Sequence, residues 1–195
     1  MGEVTQLYMF AIMPPPELAA KIHNERMNFA EQYKFIKGLK PPVHITLFEP
    51  FNMPLLEATE FESNISRLQA WADRQTPFGI ELNNYNFFDN TLHPVIFIDV
   101  IRSEQLAELH HSFIKELRKY RDIEKQKNTY KPHITIGYRD IDPRVFPMIR
   151  EEYSKKRFRA SFNCNAFYLW KHNGNNWQVQ KEFRLNGIKD QLALF

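Results

Sequence analysis

The chain of 195 residues is 43% hydrophobic, 14% aromatic and 25% charged, an ordinary globular make-up that excludes a disordered, fibrous or collagen-like protein. A lone cysteine, Cys164, excludes a disulfide framework and a zinc ribbon, and without a long apolar run or a basic leader the expectation is a cytoplasmic chain free of membrane spans. The net charge of +3 is uneven: residues 1–97 carry 7 Lys and Arg against 11 Asp and Glu, residues 98–195 carry 19 against 12, a balance that suits an anionic partner or a merely solvated basic face.

In chain order, Leu7 to Ile12 is a short apolar run stopped by three prolines, the pattern of a buried strand. Glu17 to Tyr33 carries Leu18, Ile22, Met27, Phe29 and Ala30 at helical spacing. Val43 to Phe48 reads as a second strand after Pro41-Pro42. Leu55 to Arg74 reads as one helix through Leu56, Phe61, Ile65, Leu68 and Trp71. Strands are expected over Phe78 to Phe88 and Val95 to Ile101, with a turn near Asp89-Asn90. Ser103 caps a helix to Tyr120 with Leu106, Leu109, Phe113 and Leu117 on one face. A strand over His133 to Tyr138 precedes a helix opened by Pro143 and running to about Lys156. Phe158 to Trp170 and Trp177 to Leu185 close the chain around the turn His172-Asn173-Gly174-Asn175-Asn176. Without a long linker, the prediction is one α+β unit over residues 1–195.

One short repeat carries chemistry. Pro42-Val43-His44-Ile45-Thr46-Leu47 returns as Lys131-Pro132-His133-Ile134-Thr135-Ile136. A chain of this composition contains about 0.02 His-Ile-Thr tripeptides by chance, so two are a signal. Side chains alternate along a strand, so each tripeptide sets an imidazole and a hydroxyl on one face and sends Ile45 or Ile134 into a core. If the strands lie together, two imidazoles and two hydroxyls surround one gap. Displacement at phosphorus needs a base on the attacking oxygen and an acid on the leaving one, and two imidazoles supply both near neutral pH. Threonine hydroxyls donate to the non-bridging oxygens. A lone His-x-Thr is usually a plain sheet-surface pair. Zinc is a second alternative, but two histidines without a patterned third ligand fall short. No G-x-S-x-G elbow, P-loop or G-x-G-x-x-G occurs.

The paired motifs, with the opening strand and helix and the closing aromatic hairpin, resemble the 2H phosphoesterase superfamily, which includes the RNA 2′,3′-cyclic phosphodiesterases also called 2′-5′ RNA ligases. The resemblance implies a bilobal α+β fold. Two pseudo-symmetric lobes bear antiparallel sheets facing a central groove, with helices packed outside. It implies His44 and His133 as the acid–base pair, His133 the base and His44 the acid in hydrolysis, and Thr46 and Thr135 as phosphate ligands. The implied activity is metal-independent cleavage of a cyclic or 2′-5′ phosphodiester in a nucleotide or RNA end, with no cofactor. The expected partner is that nucleotide or RNA, not DNA or a membrane, and the expected state is a monomer. The alternative is a nucleotide- or RNA-binding module that keeps the groove without turnover. Phe48-Glu49-Pro50-Phe51 departs from the family's Phe-Leu-Gly-like stretch, which weighs against tRNA-scale substrates.

Further candidates are weaker. By alternation Arg139 shares the face of His133 and Thr135, unless Gly137 makes a bulge, and is a phosphate-binding candidate. Phe48 shares the parity of His44 and Thr46 and is a candidate for stacking on a base, against the competing reading of a core or lid residue. Lys37, Lys40 and Lys171 are candidates for the groove rim but singly read as surface charge. His23, His93, His110, His111 and His172 read as ordinary surface or stripe-bordering residues, and Cys164 as a small buried hydrophobe.

Overall fold

The computed structural model describes residues 4–89, 92–121 and 130–188; part of the predicted Asp89-Asn90 turn lies outside them. The elements run β1 (Thr5–Ile12), α1 (Pro16–Tyr33), a 3₁₀ turn (Lys37–Leu39), β2 (Ile45–Pro54), α2 (Leu55–Ile65), α3 (Leu68–Ala72), β3 (Phe78–Phe88), β4 (Val95–Val100), α4 (Glu104–Leu117), β5 (His133–Gly137), α5 (Phe146–Lys155), β6 (Arg159–Cys164), β7 (Ala166–His172) and β8 (Trp177–Arg184). The strands form two four-stranded antiparallel sheets, ordered β2-β1-β7-β8 and β5-β4-β3-β6. This is the α+β architecture expected. The sheets do not divide the chain into halves, because the first sheet takes its strands from both ends of the sequence. The charge asymmetry therefore does not map onto the sheets.

Alternation on β1 shows how the layers are built. Tyr8, Phe10 and Ile12 enter the main core, which runs continuously under both sheets and includes the α4 stripe Leu106, Leu109, Phe113 and Leu117. Met9 and Ala11 face the other way and form a smaller cluster with Trp170. Ser103 caps α4 as expected, its hydroxyl accepting from the Leu106 amide at 3.2 Å. Among the described residues no helix is long and apolar enough to cross a membrane.

Several boundaries differ from the sequence reading. The expected Leu55–Arg74 helix breaks at Ser66, where Ser66 Oγ bonds the Ser63 carbonyl at 2.6 Å and three-residue hydrogen bonds replace four-residue ones. The expected Phe158–Trp170 strand is two strands in different sheets. The chain crosses over at Asn165, whose carbonyl is bonded by the Leu185 amide; an unbroken apolar run hides such a crossing. β2 continues through Pro50 to Pro54, which an edge strand tolerates because its outer amides need no ladder partner. Helix α5 begins at Phe146, with Pro147 rather than Pro143 in its first turn.

Candidate active site

The two motifs lie at equivalent places in the two sheets. β2 is the edge of one and β5 the edge of the other, and the two run beside each other. Edge strands leave backbone groups without a ladder partner. Here two such carbonyls are taken by side chains: the Tyr130 hydroxyl donates to Thr46 O at 3.2 Å, and Arg26 Nε donates to Thr135 O at 2.8 Å. Arg26 Nη1 also donates to Pro41 O at 2.8 Å. One guanidinium thus holds the approach to the first motif and the backbone of the second.

Two close approaches fix the neighbouring segments. A Cβ on Gly38 would lie 2.4 Å from Ile136 O, so only glycine lets the 3₁₀ turn rest on β5. A Cβ on Gly137 would lie 2.4 Å from the Phe29 ring of α1. Asp140 adds a tie, its carboxylate accepting from the Ile36 and Lys37 amides, both at 2.8 Å.

The imidazoles are held alike. His44 Nδ1 lies 2.7 Å from Pro42 O, and His133 Nδ1 lies 2.8 Å from Lys131 O, in each case the carbonyl two residues earlier. A carbonyl accepts only, so Nδ1 carries the proton and Nε2 is left for chemistry on both rings. His133 rests against Phe97 and Phe88, ring centroids 4.9 and 5.1 Å away. Burial lowers the pKa of both. His44 is pushed down to about 4, with the charges of Arg26 and His133 adding to burial and the Pro42 hydrogen bond opposing it. His133 is lowered by burial and by Lys131, while its backbone hydrogen bond and Asp99, its cross-strand neighbour on β4, oppose the shift.

A groove of about 510 Å³ opens over this ground. His44, Thr46, Thr135 and Arg139 line it together, with Arg26 and Lys40. Among the described residues lining it none is acidic, so its field favours an anion. Its other wall brings Leu7 and Met9 from β1 and His172, Asn175 and Trp177 from the β7–β8 hairpin.

Arg139 reaches the groove by a route that alternation does not describe. The β4–β5 register slips between Ile96 and Phe97, the strand ends at Gly137, and Arg139 sits at φ 65° in a turn closed by Asp140 N bonding Tyr138 O at 2.8 Å. A non-glycine residue in that region is strained, and such strain gathers at functional sites. Phe48 is not on the groove. The β1–β2 register shifts on both sides of Phe10, so that Leu47 and Phe48 both turn inward; Phe48 is 8% exposed and meets Phe51 edge-on at 5.6 Å. Lys171 pairs with Glu62 at 2.8 Å. Cys164 is buried, its thiol pushed up to about 12 by burial.

Sequence reasoning missed Arg26, Tyr138 and the hairpin wall, and passed His110 and His172 as ordinary. Arg26 falls on the buried stripe of α1 with Ile22 and Phe29, and an arginine at a stripe position is a signal the sequence does carry. His110 stacks on Tyr130 with 3.6 Å between ring centroids, behind the hydroxyl that bonds Thr46 O.

The fold is similar to TT0787 of Thermus thermophilus, with TM-score 0.66 and 21% identity over 94% of this chain and 100% of that one. It is similar to E. coli LigT complexed with 3′-AMP, with TM-score 0.62 and 16% identity over 93% and 99%. A structure described as a phosphoesterase matches with TM-score 0.58 and 18% identity over 93% and 99%. No curated protein matches the sequence. Residues 14–176 match the family model of the 2′-5′ RNA ligase superfamily, and the chain therefore belongs to that superfamily, among the 2H phosphoesterases its paired motifs resemble.

Proposed function

We propose that the chain is a metal-independent phosphodiesterase acting on a cyclic or 2′-5′ phosphodiester of a nucleotide or RNA end. The observation that carries this reading is the matched Nδ1 contact, which leaves Nε2 of each motif histidine for chemistry, with His44, Thr46 and Thr135 lining an acid-free groove and His133 near enough for its charge to act on His44. In hydrolysis of a 2′,3′-cyclic phosphate, one neutral Nε2 takes the proton of an attacking water as its oxygen bonds to phosphorus. The other imidazole, protonated, gives its Nε2 proton to the ribose oxygen as the P–O bond breaks. Water is added across the ester, a phosphomonoester leaves, and one proton passes through solvent from the first ring to the second. Thr46 and Thr135 donate to the non-bridging oxygens, with Arg139 as a charged donor at the rim.

The local charges favour an order of roles. His44, pushed down to about 4 by burial with the Arg26 cation beside it, is the more strongly held neutral and is the base; His133, whose lowering by burial and Lys131 is opposed by its backbone hydrogen bond and Asp99, is the acid. This reverses the assignment the family resemblance implies for hydrolysis, and the roles exchange again when the ester forms. The far wall, Leu7 and Met9 of β1 with Trp177 of the hairpin, offers the remainder of a nucleotide an apolar face. E. coli LigT has been crystallised with 3′-AMP, ATP, NADP+ and phosphate, and that relative's ligands support a nucleotide here.

The test is a panel of 2′,3′-cyclic mononucleotides, 2′-5′ oligonucleotides and ADP-ribose cyclic phosphate, assayed in EDTA. Turnover of at least one class without added metal is expected. Binding across the panel with no turnover would replace this reading with that of a binding module.

A further inference from the structure

We propose that Arg26 is a positioning residue that clamps the two motif strands at a fixed separation and supplies a fixed positive charge beneath the bound phosphate. Arg26 is 1% exposed, yet it lines the groove. Among the described residues its hydrogen bonds end on backbone carbonyls, Pro41 O before the first motif and Thr135 O inside the second. Among the described residues no carboxylate pairs with it. A buried cation without a counter-ion is costly to the fold, and burial lowers the Arg26 pKa to about 10. The structure accepts that cost at the one place where the anionic substrate of the proposed reaction would supply the missing charge.

The equivalent plug on the other strand shows what a purely structural cover looks like. Thr46 O is covered by the neutral hydroxyl of Tyr130, itself stacked on His110. A tyrosine would suffice at both edges if sealing the strand were the whole task. The cation on one side makes the groove asymmetric. The titratable and charged groups that share the groove with His44, or whose charge acts on it, are Arg26 of α1, Lys40 of the connector, His133 of β5, Tyr138 and Arg139 of the following turn, and His172 of β7. Of the cations among them, Arg26 is the buried one, so its field is screened least.

The inference rests on the phosphodiesterase reading, and its test separates the two. Arg26→Met and Arg26→Lys are compared with the unaltered chain in three readouts: affinity for inorganic phosphate by calorimetry, the NMR titration of the His44 ring, and kcat on whichever substrate the panel yields. Arg26→Met is expected to weaken phosphate at least tenfold, move the His44 titration up by one pH unit or more, and lower kcat about a hundredfold. Arg26→Lys, which keeps the charge and loses the fork, is expected to bind phosphate within threefold of the unaltered chain with kcat about tenfold lower. Unchanged phosphate affinity and a superposable His44 titration in a folded Arg26→Met would overturn the proposal. If Arg26→Met does not fold, Arg26→Lys decides: wild-type kcat, or a phosphate affinity lost tenfold, overturns it. An unaltered chain that turns over nothing sinks the phosphodiesterase reading alone, and phosphate affinity and the His44 titration still judge Arg26.

Discussion

At the scale of single residues, the site rests on two rings with the same tether. An imidazole whose Nδ1 is committed to a carbonyl has one nitrogen to offer, and its ring cannot turn without losing the bond. Removing either ring removes a proton-transfer partner, and such partners contribute about 10²–10⁴-fold in rate. His44→Ala and His133→Ala are each expected to lower kcat by at least a hundredfold, with circular dichroism and melting unchanged; a folded variant with near-native turnover would exclude that histidine. The pH dependence has a defined sign. His44 held near 4 stays neutral through pH 5–8, so the limb of the rate profile set by the base should lie well below the ordinary imidazole value of 6.5. A limb at 6.5 or above would show that His44 is not the base.

At the scale of elements, the motif strands work because they are edges, and a set of close contacts holds those edges in place. Gly38 is one such contact. Gly38→Ala forces a methyl to within 2.4 Å of Ile136 O, and overpacking of this kind costs about 1–3 kcal/mol. The expected result is a lower melting temperature together with a raised KM, as Lys40 and Pro41 are pushed from the groove; an unchanged KM would mean the connector does not shape the site. Elements with their own periodicity were legible from the sequence, among them the α4 stripe with its Ser103 cap and the His-x-Thr alternation. Features set by pairing between distant segments were not. The Asn165 crossing has no local signature, and the register shifts beside Phe10 turned Phe48 from the face that alternation gives it. Arg139 lies on the groove wall, but a left-handed turn put it there rather than strand parity. Arg26 was missed because its partners, Pro41 and Thr135, are 15 and 109 residues away.

At the scale of the whole molecule, one core underlies both sheets, so the motif strands cannot separate without disturbing it. Half-buried histidines also tie stability to pH. His44 and His110 are each lowered to about 4 by burial, while in the unfolded chain they titrate near 6.5. A group with a depressed histidine pKa binds its proton first in the unfolded state, so its stabilisation is complete above 6.5 and is lost as the pH falls toward 4. The urea midpoint is expected to drop across that window, and His110→Gln to flatten part of the drop; an unaltered slope in that variant would remove His110 from the pH dependence.

The proposal that both motif histidines serve one phosphate is tested most directly by titrating inorganic phosphate into the folded chain while following the ring resonances of His44 and His133. Both are predicted to respond with a single shared dissociation constant, and both rings to become more basic as the anion arrives. A response from one ring with the other silent, or two unrelated constants, would contradict a shared phosphate site.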